Sequence, residues 1–177
     1  TVTILGAGTA SVRAEQVASG QFNAADVTTT ITVNKRFLYV SPINASRNYG
    51  DANPVFNLTY GNFAYDDDVG DLSPLPYGTS DANQASVVGE YDISVVTEPH
   101  VNYFYVTTKA VLTVTKRPLN ATADDVSRAY GDANPALTIS YSGFANSDNI
   151  STIDVQPETS CSADQFSATG DYPIVVT

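Results

Sequence analysis

The sequence predicts an all-β fold, built as tandem small modules, each an Ig-like sandwich or a β-grasp-like sheet with at most a short helical turn. Three observations carry this. The 177 residues hold 11 Tyr and 7 Phe with abundant Thr and Val, but no Met and no Trp, and β-branched and aromatic residues fit a pleated, half-buried surface. Apolar and polar residues alternate with period two in several short runs. A long internal repeat shows the same turn letters twice.

The repeat has a shift of 81 residues: Tyr49-Gly50-Asp51-Ala52-Asn53-Pro54 recurs letter for letter as Tyr130-Gly131-Asp132-Ala133-Asn134-Pro135. Without a gap, the same shift pairs Lys35-Arg36 with Lys116-Arg117, Ser46-Arg47 with Ser127-Arg128, Tyr60 with Tyr141, and Phe63-Ala64 with Phe144-Ala145. From Thr32 to Val96, 25 of 65 positions match. More faintly, Ile31-Thr32-Val33-Asn34-Lys35 falls under Leu112-Thr113-Val114-Thr115-Lys116. The expected organisation is residues 1–37 as the closing part of an upstream repeat, 38–118 as a complete repeat, and 119–177 as a third without its last strands. The segment without a counterpart at the C-terminal end matches 97–118, and residues 16–37 match that same segment. The ends are complementary, either as cuts through an array or as strands exchanged between successive molecules.

Within one repeat, Leu38-Tyr39-Val40 opens a strand. Tyr49 to Pro54 is a structural turn, in which Gly50 permits positive φ, Asp51 bonds the backbone ahead and Pro54 keeps Asn53 extended; Tyr130, Gly131, Asp132, Asn134 and Pro135 repeat it. Arg47 and Arg128 stand near enough in sequence to pair with Asp51 and Asp132. Val55 to Tyr60 and Leu137 to Tyr141 alternate as strands with one wet face, and Phe63 and Phe144 follow as core plugs. Asp66 to Leu72 and Ser147 to Ile153 begin with N-cap residues and space apolar residues three apart, which predicts one helical turn. Gly89 to Val95 is a turn and an alternating strand. Tyr103 to Val106 and Ala110 to Val114 read as a closing hairpin, and Pro118 stiffens the joint to the next repeat.

Charge narrows the function classes. Nineteen acidic against eight basic residues give a formal net charge of −11, a surface that repels nucleic acid, whose binding rests on Lys/Arg neutralisation of phosphate. No apolar run is long enough to span a bilayer, so membrane insertion is not expected. The opening Thr1 to Gly6 lacks the basic and apolar regions of a signal peptide. Cys161 is the single cysteine and has no partner for an intramolecular disulfide or a C-x-x-C motif.

The ordered string Tyr-Gly-Asp-Ala-Asn-Pro, Leu58-Thr59-Tyr60, Phe63, Gly89-Glu90-Tyr91-Asp92-Ile93, Asn102-Tyr103 and Leu112-Thr113-Val114-Thr115-Lys116 resembles the MBG ("mostly beta, glycine-rich") repeats of large bacterial surface adhesins. Residues 1–35 are similar to the tails of bacterial Ig-like repeats. The resemblance implies an extracellular, multi-repeat stalk or adhesin with no catalytic residues and no cofactor. Its partners are then neighbouring repeats, or copies of the chain head-to-tail, with surface glycans or proteins at the adhesive end.

Candidate chemistry is sparse. Asp66, Asp67, Asp68 and Asp71 are the best arrangement for Ca²⁺, through hard oxygen ligands, but the EF-hand pattern is absent and the second copy keeps only Asp148; a solvated capping loop is the plainer reading. Asp124-Asp125 offers calcium between repeats. Asn44, Asn57, Asn120 and Asn149 fit the N-glycosylation pattern. Tyr77, Tyr103 and Tyr105 suit either carbohydrate stacking or cross-strand packing. His100, the only histidine, is expected as an exposed loop residue, and no nucleophile-elbow motif accompanies it. A carbohydrate-binding accessory module is the remaining alternative.

Overall fold

The structure, a computed structural model, describes residue 3 and residues 5–177. The opening stretch read above as lacking a signal peptide lies partly outside them. Thirteen strands and two single 3-10 turns are the regular elements among the described residues, and the fold is all-β. These residues divide into two compact units: one holds the chain through Ala45 with Pro54–Asp81 and Tyr91–Leu112, the other Ser46–Asn53, Ala82–Glu90 and Thr113–Thr177.

In the first unit, β1 (Gly8–Gln16) and β2 (Ala25–Val33) form a hairpin of nine paired positions, from Gly8 with Val33 to Gln16 with Ala25. It is poorly covered, with Val27 65% and Ile31 38% exposed. A three-stranded sheet has the order β5-β3-β8, from β3 (Arg36–Pro42), β5 (Leu58–Gly61) and β8 (Tyr103–Thr107). Strand β5 is antiparallel to β3, whereas β8 is parallel to it, with Arg36 opposite Tyr103 and Val40 opposite Thr107.

A four-stranded sheet has the order β4-β9-β7-β6, built from β4 (Ala45–Asn48), β6 (Tyr77–Thr79), β7 (Gly89–Val96) and β9 (Ala110–Thr115). Ala110, Leu112 and Val114 are buried at alternate positions of β9, the period-two pattern of a strand with one dry face.

The expected closing hairpin is therefore corrected: β8 and β9 lie in different sheets. Only Thr108 and Lys109 separate them, so the chain crosses between layers instead of turning back within one. Apolar residues on both strands fit either arrangement, and the choice is made by the sheet each one meets. Two further elements were not anticipated, β4 and β6. Strand β5 also begins at Leu58, so Val55 to Asn57 are not strand.

The core of the first unit centres on buried Leu38 and Val40 of β3, Leu72 and Tyr103, with Leu58, Tyr60, Phe63, Val95 and Tyr105 packed against them. Val95 comes from the four-stranded sheet, so both layers share this interior. Phe63 meets Tyr103 edge-on at 6.0 Å between ring centroids. The Tyr103 hydroxyl accepts the Ala64 N–H at 2.9 Å and donates to the Asp67 carboxylate. A large ring with a satisfied polar tip suits this place.

In the second unit, β10 (Asn120–Ala123) pairs with β11 (Ile139–Ser142) in the register of β3 with β5: Val40 faces Tyr60, and Ala121 faces Tyr141. β12 (Thr159–Cys161) pairs with β13 (Ile174–Val176) as β6 pairs with β7: Gly78 faces Val95, and Thr159 faces Val176. The predicted helical turns are present as 3-10 turns at Val69–Asp71 and Ile150–Thr152, capped by Asp68 and Asn149. The 81-residue register thus holds in hydrogen bonding as well as in letters.

Burial, followed by the hydrogen bond to Asp67, raises the Tyr103 phenol above its ordinary pKa. A raised folded value means that the contribution is whole below about pH 10 and is lost as pH rises through that folded value. Tyr103→Phe strands the Ala64 N–H and should destabilise the complete repeat by about 1–3 kcal/mol at neutral pH. Urea unfolding at pH 7 and pH 11 measures both effects, and the difference between wild type and variant should shrink at the higher pH.

Candidate functional site: the inter-repeat joint

The repeated turn is held by an arginine. In the complete repeat, Arg47 is 7% exposed; its Nε donates to Asn53 Oδ1 at 2.7 Å and its guanidinium also reaches the Asn48 and Asn83 carbonyls. Asn53 Nδ2 donates to the Ala82 carbonyl at 2.6 Å, and Gln84 Nε2 to the Gly50 carbonyl at 2.7 Å. One repeat later, Arg128 holds Asn134 Oδ1 at 2.7 Å and the Ala129 and Asp164 carbonyls. Asn134 donates to Ala163 at 2.6 Å and Gln165 to Gly131 at 2.7 Å. A planar fork with several fixed donors satisfies carbonyls from two loops together, which a lysine point charge does not.

The expected pairing of Arg47 with Asp51 is therefore corrected: Arg47 takes neutral acceptors, and the acid is left for a different arginine. Arg117 Nη1 meets Asp51 Oδ1 at 2.7 Å while its Nε donates to the Gly143 carbonyl at 2.9 Å. It joins the turn of the complete repeat to the following repeat. The equivalent Arg36 makes the local half of this arrangement, with Nε on the Asn62 carbonyl at 2.9 Å.

Gly50 completes the joint. Its φ of 84° is left-handed, as is the 90° of Gly131, which explains glycine at both places. A Cβ on Gly50 would stand 2.2 Å from the Ala145 Cβ, whereas one on Gly131 meets nothing within 4 Å. The same letters therefore serve twice, as a turn and as a docking surface for the next repeat.

Three of the four acidic candidates do other work. Asp68 accepts from the Gly70 N–H and Asp71 from the Asp68 N–H in a capping box, Asp67 holds Tyr103, and Asp66 is exposed. Among the described residues, no group of three or more His, Cys, Asp or Glu is placed to hold a metal ion. Asp124 accepts from the Ser140 and Thr138 hydroxyls at 2.5 and 2.6 Å, which hold its pKa below the usual carboxylate value, the Ser140 bond first.

All four glycosylation candidates, Asn44, Asn57, Asn120 and Asn149, are exposed. Asn44 Oδ1 accepts the Val111 N–H, and Asn149 caps the second 3-10 turn. The tyrosines do not form one surface: Tyr77 is 59% exposed, Tyr103 is in the core and Tyr105 packs against it. His100 is not the exposed residue expected. It is half-buried, 5.3 Å from the Tyr103 ring between centroids, with Nδ1 accepting the Asn102 N–H, and its carbonyl accepts from Lys35 Nζ at 2.6 Å; the cover comes from rings on β8, which sequence pattern does not signal.

These features define a tandem β-repeat protein whose signature turn is an arginine-clamped docking corner. The chain belongs to the MBG domain family of the YGX type, whose profile matches residues 38–113 and 119–177; the Tyr-Gly-X letters are Tyr49-Gly50-Asp51 and Tyr130-Gly131-Asp132. No curated protein and no solved structure shows significant similarity to it.

Gly50→Ala and Gly131→Ala share the left-handed penalty, roughly 1–2 kcal/mol, but only the first meets a neighbouring repeat. Gly50→Ala should cost at least roughly 1 kcal/mol more, the overpacking component, in paired urea melts. Arg47→Met takes the arginine donor away from Asn53 Oδ1 and the Asn83 carbonyl and should cost at least about 2 kcal/mol. Arg128→Met, at a more open position, should cost measurably less in the same assay.

Proposed function

We propose that this chain is a stretch of non-catalytic repeat modules from an extracellular, cell-surface protein, acting as a spacer in a stalk or adhesin. The observation that carries the reading is the joint: Arg117 ties the Asp51 turn of one repeat to Gly143 of the next, and the letters of that joint recur at the 81-residue shift. A corner that both turns its own chain and docks a successor is what a linear array needs, because each module then stabilises chiefly through its neighbours. Family membership supports the same reading.

Catalysis has no support in the arrangement. The single histidine packs on aromatic rings, and the paired carboxylates cap turns or hold a tyrosine. The acidic surface disfavours nucleic acid and anionic lipid, and no helix among the described residues is long and apolar enough to cross a membrane.

Antibodies raised against this chain should label intact, unpermeabilised cells of the source organism, and brief protease treatment of those cells should remove the signal. Labelling confined to permeabilised cells would overturn the reading.

A further inference from the structure

The two faces of the sheet β5-β3-β8 differ. One is the core face, where Leu38, Val40 and Tyr103 are buried. On the other, Phe37 is 56%, Tyr39 51% and Phe104 54% exposed. The register brings these rings together. Phe37 lies beside Phe104, with ring centroids 6.1 Å apart, and Tyr39 lies between Val106 and Gly61. Lys35, two residues before Phe37, holds its Nζ 5.3 Å from the Phe104 ring centroid and donates to the His100 carbonyl. Ser41 and Thr59 end the face. No acidic residue stands at any of these positions.

Neither the repeat's own packing nor the joint accounts for the rings. At the 81-residue shift Phe37 and Tyr39 become Pro118 and Asn120, so the fold does not need aromatic residues there. The Gly50 turn docks on Ala145, yet positions 118, 120, 122, 140 and 142 are all exposed; the joint does not use this face. Size and charge then select the occupant. The five residues of β8 span about 17 Å and the three strands about 10 Å across. That is roughly 170 Å², against the ~800 Å² per partner of a stable protein interface. A net charge of −11 disfavours a polyanion, and a cationic peptide finds no carboxylate here. What fits is a small neutral ligand with apolar ring faces and polar edges.

We propose that this face binds a neutral glycan built of sugars with equatorial hydroxyls, such as glucose or N-acetylglucosamine in β linkage. Equatorial hydroxyls leave both faces of such a ring lined with C–H groups, whose slight positive charge meets the negative face of an aromatic ring. Phe37, Tyr39 and Phe104 take the sugar faces. Lys35 makes no ion pair among the described residues, and an ammonium has three N–H donors, so it reaches hydroxyls at the rim. Gly61, without a side chain, leaves the surface beside Tyr39 open. The inference rests on this face and stands apart from the cellular location proposed above.

Titration of the whole chain with cellohexaose and with chitohexaose, followed by amide chemical shifts in NMR, tests this. The expected result is a saturable shift, with at least one of the two sugars, at residues 36–40, 59–61 and 103–107 together. Phe37→Ala and Phe104→Ala should each weaken binding several-fold to about tenfold. Phe104→Leu keeps the apolar bulk and removes the ring, so it should bind as weakly as Phe104→Ala while the fold is kept. Tyr77→Ala, at a ring 59% exposed on the other sheet, should leave binding unchanged. No shift from either sugar at millimolar concentration, or full binding by Phe104→Leu, overturns the proposal. Shifts at the same amides that grow with chain concentration in the absence of sugar assign the face to a second copy and overturn the glycan as occupant.

Discussion

The structure depends on strand β9. In the complete repeat it is an interior strand of the four-stranded sheet, with β4 on one side and β7 on the other, and it contributes Ala110, Leu112 and Val114 to the dry face. In residues 119–177 the positions that match β4 are not strand, and β13 has three residues where β7 has eight. The residues matching β4 have the letters Ser127-Arg128 in common with Ser46-Arg47, yet they form no strand. Edge segments of four residues hold too little of their own to stay ordered as strand; the central partner supplies the ladder bonds. No described residue after Val114 is buried. The positions that match Leu38, Tyr60 and Ile93 remain only partly covered.

Local chemistry behaves differently. The arginine clamp survives intact in the third repeat, down to the distances: 2.7 Å from arginine to asparagine, 2.6 Å onward to the alanine carbonyl and 2.7 Å from glutamine to glycine in both copies. Charge-assisted bonds from a rigid fork, together with a turn set by glycine and proline, do not need a finished core around them. Burial is the difference: Arg47 is covered, whereas Arg128 is half-open. The repeat is thus two layers of specification, a polar corner that forms from its own letters and an apolar interior that long-range strand pairing closes.

The corner is also where one module meets the next. The ion pair between Arg117 and Asp51 is partly exposed, and pairs of that kind contribute on the order of 0–1 kcal/mol. The tighter constraint is steric, because Gly50 leaves room for Ala145. A joint made of one glycine contact and one modest ion pair is specific in register without needing a large apolar face. That matches an acidic, polar chain in which Leu119 is still 39% exposed just after the joint.

The sequence by itself determined the all-β class, the 81-residue period, the left-handed glycine of each turn and the capped single helical turns. All of these are written in letters a few residues apart, because turns and caps are closed by neighbouring backbone. Strand alternation located β3, β7, β8 and β9 but did not say which would pair. The parallel meeting of Arg36 with Tyr103, the assignment of β8 and β9 to separate sheets, and the choice of Arg117 over Arg47 as the partner of Asp51 were decided only in three dimensions. The two pairings among these join segments about 66 residues apart, and a contact of that span depends on how the whole chain closes rather than on any local pattern.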